Sequence, residues 1–375
     1  MKHFLRRHQA LFVLATLLVA FGLGGAWLVS QMRFTPDSAQ WQTAFDDAEI
    51  ADMVDLGGRD SIMPIDHPRW MLARDVTWLG VKSPVIVVTY AGNARAYPIV
   101  VLIQHGIVND TLGNTPIAVT YCALCNAPIV YKRTVQGKVL RFAVTGAVRN
   151  SGLTMWDDLT ESWWQQFTGT AFAGAYTGVR LNTLPSQVVG FGAYAQRHPN
   201  GKVLTGDQAS PNMSYSVSPF VAYDSNPQLF MYDKPADERL FPTERVLAIA
   251  LHGTAIAYPF SALEAQGVVN DSINGTPVLA LWQMGANSAH DLASVDASRD
   301  VGMAGLFMRT VNGQTLTFIW QDGRVTDAET GSTWNIFGEA TDGALKGAML
   351  SPLNATTCFW FSWAEYYPNT TIYAP

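Results

Sequence analysis

Three side chains stand out for the chemistry that their types and spacing allow: His105, Cys122 and Cys125. A Cys-x-x-Cys turn lets two thiolates converge on one metal ion at about 2.3 Å, and His105, one strand upstream on a turn, would supply a third, borderline ligand. Two thiolates and one imidazole suit a copper or zinc ion, and an open fourth position would permit catalysis. Met155, His67, His198 and Glu161 are the candidates for a fourth ligand. The same pair can instead cycle as a thiol–disulfide couple with Cys122 as the exposed nucleophile, or form a small structural disulfide, or stay as two inert thiols. A thioredoxin-type pair sits at a helix N-terminus, but Pro128 and Ile129-Val130-Tyr131 predict another strand after the turn. Asn126 follows the second cysteine, where such a turn needs the left-handed backbone that asparagine tolerates.

The elements that must position these residues are written twice. Residues 92–116 align without gaps to residues 253–277, with 12 identities over 25 positions. The match resumes with Arg133, Gly137, Leu140 and Phe142 against Arg309, Gly313, Leu316 and Phe318, and continues with Asp157, Thr160, Ser162 and Trp164 against Asp327, Thr330, Ser332 and Trp334. The register moves from 161 to 176 between the first two blocks, so the second copy carries fifteen extra residues in the Gln283–Met308 region. Period-two alternation and frequent turn residues predict mainly antiparallel sheet with a few short helices, at Pro98–Gln104 and Phe191–Arg197. The fold expected is therefore mainly β (α+β), two tandem pseudo-symmetric repeats behind one N-terminal transmembrane helix. Its boundaries are 1–33 for the anchor, 34–79 for a lead-in, 80–204 for the first repeat, 205–240 for a connector and 241–375 for the degenerate second repeat.

The two copies provide a comparison within one chain. Asn109-Asp110, Arg133 and Trp164 recur, which favours structural roles: a turn bonding its own backbone, a carbonyl- or ion-pairing arginine, and a core anchor. His105 becomes Gln266, Cys122 becomes Gln283 and Cys125 falls opposite Ala286, so three ligand-type residues disappear together. A shared site would explain that loss, with the second repeat acting as a structural partner. Trp164, in the Trp163–Phe167 block, is the candidate for contact with a cofactor or small molecule in a cleft, with core packing as its alternative. Asp157-Asp158 with Glu161 read as a polar turn, His198-Pro199 as a helix stop, and Cys358 as a buried small hydrophobe. His290, Asp291, Asp296 and Asp300 fall in the inserted loop, where they would either bind a cation or face water.

Hydrophobic residues at 48% against 14% charged exclude a disordered chain, and 24 Lys+Arg without a basic stripe argue against nucleic acid as a partner. No nucleotide cofactor is expected, and a small-molecule or protein partner is not specified. Lys2, Arg6 and Arg7 precede an uncharged run from Ala10 to Ser30, long enough at about 1.5 Å per residue to cross a hydrocarbon core. The basic flank comes first, which places the body outside, as a single-pass inner-membrane protein facing the periplasm; the alternative is secretion after signal cleavage. Three cysteines are too few for a disulfide scaffold or a four-cysteine zinc site.

The runs HGIVND, TPIAVTYCALCNAPIVYKR and DDLTESWWQQFTGTAFAG, followed by Arg197-His198-Pro199, resemble a prokaryotic family of exported proteins, the domain-of-unknown-function family 3179 (DUF3179). The resemblance implies that His105, Cys122, Cys125, Asp157, Ser162 and Trp164 occupy the family's motif positions. Two departures stand out. Gly106 replaces the acidic residue that usually follows the histidine, and Ala123 and Asn126 stand where the family tends to have Pro and Gly. The resemblance supports the fold and export and implies no reaction.

Overall fold

Runs rich in Val and Ile alternate with glycine- and asparagine-centred turns, and the chain accordingly folds into several mostly antiparallel sheets with four short α-helices among the described residues. The structure is a computed structural model that describes residues 52–207, 215 and 217–375. The expected membrane-crossing run, Ala10–Ser30, lies outside the described residues, and among those described no helix is long and apolar enough to cross a membrane.

In the N-terminal half, one sheet runs in the order Gln187–Gly190, Pro84–Tyr90, Asn93–Pro98, Lys202–Leu204 and Trp70–Leu72. A second runs Thr183–Leu184, Ala127–Lys132, Thr115–Cys122 and Ile107–Leu112, and a third Met53–Asp55, Phe142–Arg149, Gly152–Asp157, Trp163–Gln165 and Thr170–Ala173. The C-terminal half runs Thr356–Phe359, Arg245–Leu251, Thr254–Pro259 and Thr371–Ile372 in one sheet, and Val268–Ile273, Thr276–Gln283, Met303–Met308 and Ser351–Pro352 in another. Its third sheet joins Phe318–Gln321, Arg324–Asp327, Thr333–Trp334 and Ala340–Asp342. Helices α1 (Ile99–His105) and α2 (Phe191–Arg197) belong to the first half, and α3 (Phe260–Gln266) and α4 (Trp360–Tyr366) to the second. The lead-in is not separate from the first half: Met53–Asp55 and Trp70–Leu72 are edge strands of its sheets.

Local chemistry sets the element ends. Helix α1 starts after Pro98 and stops at Gly106, whose φ of 67° suits glycine and lets its N–H bond Leu102 O at 2.7 Å. Gly267 ends α3 the same way. Asn109-Asp110 is not the turn expected from its residue types. It lies inside strand Ile107–Leu112, where the Asn109 amide bonds both Phe142 N (3.0 Å) and Phe142 O (2.8 Å). Asn270 makes the same two bonds to Phe318, both 2.8 Å. An amide side chain carries a donor and an acceptor and so can join two sheets as a ladder rung would, which outweighs its turn preference. Arg133 binds carbonyls as expected, at Ile117, Leu140 and Asp110.

The halves share one interior. Val85, Val87, Val189 and Tyr194 pack with Leu279, Leu281, Phe307 and Phe337 in a single apolar cluster. Gln187 Nε2 crosses the seam to Ala304 O and Ile336 O, both at 3.0 Å, and Arg197 pairs with Glu339 at 2.7 Å.

Candidate functional site around the Cys122–Cys125 turn

Strands β1 (Thr115–Cys122) and β2 (Ala127–Lys132) pair antiparallel, with Cys122 opposite Ala127, and residues 123–126 close the hairpin. No helix follows the second cysteine, in keeping with the strand expected at Ile129–Tyr131. Asn126 takes φ 49°, the left-handed value expected of it, and its N–H bonds Ala123 O at 3.2 Å. The Asn126 side chain accepts the Tyr121 hydroxyl at 2.9 Å, which holds the turn from inside.

Cys122 and Cys125 are joined as a disulfide, with Cα atoms 5.3 Å apart. Both are buried, at 2% and 1% exposure, so Cys122 is not the exposed nucleophile that a redox reading of the sequence implies. The cover is assembled from distant segments. The hairpin between β3 (Phe142–Arg149) and β4 (Gly152–Asp157) brings Ser151 O to 3.9 Å from Cys122 Sγ and 3.6 Å from Cys125 Sγ. The Ser151 hydroxyl in turn donates to Phe230 O at 2.6 Å, fastening the connector over that hairpin. Phe220, Tyr223, Phe230 and Met231 of the connector pack in one apolar cluster with both cysteines.

The two sulfurs have unequal surroundings. Cys122 Sγ faces two backbone donors, Cys125 N–H at 3.3 Å and Leu153 N–H at 3.4 Å. Ser151 O lies near both sulfurs, 3.6 Å from Cys125 Sγ and 3.9 Å from Cys122 Sγ, so the difference between them is the two N–H donors at Cys122 and the nearer carbonyl at Cys125. Once the pair is reduced, donors favour negative charge on Cys122, while an acceptor favours a retained S–H on Cys125.

A family model described as a protein of unknown function (DUF3179) matches residues 59–370. The chain belongs to the DUF3179 family. No curated protein and no solved structure gives a significant match. In this DUF3179 chain, Gly106 is the residue that ends α1 with a positive φ.

His105 is not brought to the cysteines as a ligand. Its Nδ1–H donates to Met63 O and its Nε2 accepts the Tyr215 hydroxyl, both at 2.7 Å. Burial lowers its pKa against the raising effect of the Met63 bond, so the ring is neutral and both nitrogens are engaged. Gln266, its counterpart, accepts the Tyr373 hydroxyl at 3.0 Å, so the His-to-Gln difference is explained by a shared structural task. Among the described residues no group of three or more His, Cys, Asp or Glu side chains stands where it could hold a metal ion. The suggested fourth ligands are dispersed: Met155 packs in the core beside Trp164, Glu161 pairs with Arg59 at 3.6 Å, His198 caps α2, and His67 is exposed.

Trp164 lies in the core with no exposed surface, edge-on to Phe142 and Tyr176, and its Nε1–H bonds Asp157 Oδ2 at 3.0 Å. Asp157 also accepts Thr160 N–H at 2.7 Å, the polar turn expected of it, and Asp327 repeats both bonds with Thr330 and Trp334. Trp164 therefore packs rather than lining a cleft.

Sequence reasoning missed how the inserted loop is used. Residues 284–302 take the place, between strands Thr276–Gln283 and Met303–Met308, that residues 123–126 take between β1 and β2. Only part of the loop is solvated as a surface loop would be: Leu292, Ser294 and Asp296 are exposed, but His290 is 0% exposed and its Nε2 donates to Ala123 O at 2.7 Å. The connector covers it, through Ser218 N–H to Ala293 O at 2.8 Å and Ala222 N–H to Asp291 O at 2.7 Å.

Cys358 also belongs to the cluster around the disulfide, and burial pushes its thiol pKa far up. The expected result is that iodoacetamide at pH 8, added after reduction of the folded chain, leaves Cys358 unmodified by peptide mass mapping. Full labelling should appear only in denaturant. Labelling of Cys358 under native conditions at the rate of a free thiol would contradict its placement.

Proposed function

We propose that Cys122–Cys125 is a thiol–disulfide redox couple in an exported, membrane-tethered protein, and that the C-terminal half is a pseudo-symmetric copy of the same unit in which the couple was replaced by a loop. The recurrence of element order and sheet pairing from Pro84–Leu204 to Arg245–Ile372 supports the duplication. The uncharged run Ala10–Ser30 behind Arg6 and Arg7 supports the tether, with the body on the oxidising side where disulfides persist.

The observation that carries the redox reading is the unequal pair of sulfur environments. A thiolate of an incoming dithiol attacks Cys125 Sγ, and the Cys122–Cys125 bond breaks with its electron pair leaving on Cys122 Sγ. The Cys125 and Leu153 N–H groups hold that charge. The second thiolate of the substrate then attacks its own sulfur in the mixed disulfide and releases Cys125, which takes a proton and donates to Ser151 O. The substrate dithiol loses two electrons and the pair gains them. In reverse, Cys125 attacks the substrate disulfide to form the mixed disulfide, and Cys122 then attacks Cys125 Sγ to re-form the pair and release the substrate dithiol. Access requires the connector to lift from Ser151, because both sulfurs are covered. A copper or zinc site would instead require His105 to leave Met63 and Tyr215.

The test uses the purified full chain in glutathione buffers of graded potential, with thiols counted by mass after alkylation, beside Cys122→Ser and His105→Gln. One two-electron couple is expected, reversible without loss of the native tryptophan fluorescence, abolished in Cys122→Ser and retained in His105→Gln. A pair that reduces only when the chain unfolds would overturn the reading. So would stoichiometric copper or zinc that is lost in Cys122→Ser.

A further inference from the structure

Two carbonyls of the cysteine turn are held by the other half of the chain. Ala123 O accepts His290 Nε2–H at 2.7 Å, and Cys125 O accepts Phe359 N–H at 2.8 Å. Phe359 ends strand β5 (Thr356–Phe359), whose Thr356 hydroxyl also donates to Pro128 O at 3.1 Å, just beyond the turn. The turn is thus gripped from the C-terminal half at Ala123, at Cys125 and at Pro128.

His290 is the side chain in this grip that comes from the inserted loop. Its ring sits among Phe220, Tyr223 and Phe359, with centroids 5.6, 5.9 and 5.1 Å away. Its Nδ1 has no hydrogen-bond partner among the described residues, so the imidazole is placed by packing and by the single bond to Ala123 O. Burial, aided by the Arg245 charge, brings its pKa down to about 4. The ring is therefore neutral at physiological pH, and the proton it carries is the one given to Ala123. The loop itself is anchored by Asp224, whose Oδ2 accepts Ser288 Oγ at 2.5 Å and pairs with Arg299 at 2.8 Å.

We propose that His290 is a positioning residue for the Cys122–Cys125 pair: by holding Ala123 O it keeps the two sulfurs at bonding approach and so sets the thiol–disulfide equilibrium. This rests on the redox reading above. The physical basis is effective concentration. Two thiols on a turn fixed at both ends meet far more often than two on a turn free to open, and the disulfide is favoured in proportion. In this arrangement the second half is no inert partner, since its inserted loop tunes the site that its own hairpin lacks.

The experiment measures the midpoint of the couple in the full chain in glutathione buffers, for wild type and for His290→Ala, His290→Met and His290→Gln. Methionine keeps bulk without a donor, and glutamine restores an N–H. The alanine and methionine variants are expected to shift the equilibrium about tenfold toward the dithiol, about 30 mV for a two-electron couple. Glutamine is expected to return it to within about twofold of wild type, and Leu292→Ala, on the exposed part of the same loop, should leave it unchanged. Should the alanine variant fail to fold, the methionine and glutamine pair carries the comparison. A wild-type couple that cycles while the methionine variant keeps its midpoint defeats the positioning role and leaves the redox reading standing. A wild-type pair that does not cycle defeats both.

Discussion

Asp224→Asn is expected to cost about 3–5 kcal/mol of unfolding free energy, because it removes the negative partner of a buried arginine while leaving that arginine in place. Asp224 Oδ2 lies 2.7 Å from Arg245, 2.8 Å from Arg299 and 2.5 Å from Ser288 Oγ. Arg245 is 9% exposed, so little solvent can reach it to take over its charge. Removing both charges in Asp224→Asn/Arg245→Met should cost less than the single change, since the uncompensated ion rather than the lost attraction dominates. Chemical denaturation with a shared slope measures all three chains, and a single variant within about 0.5 kcal/mol of wild type would show that the network does not bear on stability.

The same group predicts an acid limb. Burial raises the Asp224 pKa, but Arg245, Ser288 and Arg299 together outweigh it and hold the carboxyl at about 2. A folded pKa below the unfolded one means that the stabilisation is fully present above the unfolded value and is lost as pH falls through the folded one. The window is therefore about pH 4 down to 2, and the Asp224→Asn chain should lack that part of the acid transition.

Trp164→Ala is the second large expectation, at about 3–5 kcal/mol, because it empties a fully buried indole site. It also takes a donor from Asp157, whose Oδ2 is otherwise bonded by the Thr160 hydroxyl at 2.7 Å. Trp164→Phe refills most of the volume without the N–H and should recover more than half of the loss. Trp334→Ala, with the same bond to Asp327 at 2.9 Å, should cost a similar amount. Denaturant midpoints decide it: a Trp164→Ala cost below about 1 kcal/mol would be inconsistent with core packing. Such a result would return Trp164 to the ligand-contact role that its place in the motif first suggested.

The architecture was legible because its signals are local. Val85–Tyr90 is a continuous apolar, mostly β-branched run, Phe191–Arg197 starts after a glycine and stops before Pro199, and the structure has a strand at Pro84–Tyr90 and a helix at Phe191–Arg197. The ends of strands Phe142–Arg149 and Gly152–Asp157 are set by their pairing with each other, across a register shift between Val144 and Val148, rather than by propensity. Where a local preference met a tertiary demand, the demand prevailed. Asn109-Asp110 prefers a turn by residue type, yet a sheet-to-sheet junction needed one donor and one acceptor side by side.

The candidate site divides along the same line. The Cys-x-x-Cys turn, its left-handed Asn126 and the strand after it follow from residue types within seven positions, because a hairpin is decided by its own short segment. Whether His105 joins the cysteines depends on groups 42 and 110 residues away, Met63 and Tyr215, which occupy its two nitrogens. Pattern alone could group His105, Cys122 and Cys125 by their common absence from the aligned positions of residues 253–308. It could not show that Gln266 and His105 each accept a tyrosine hydroxyl, or that residues 284–302 join two paired strands as residues 123–126 do. Nor could it bring His290 to Ala123, 167 residues distant, since that contact depends on the connector folding over the loop and on the two halves sharing a core. The sequence by itself determined the strands, the turn and the cysteine pair. Tertiary structure alone decided what covers the pair, what holds it, and which histidine stands beside it, because those depend on long-range packing that no local pattern encodes.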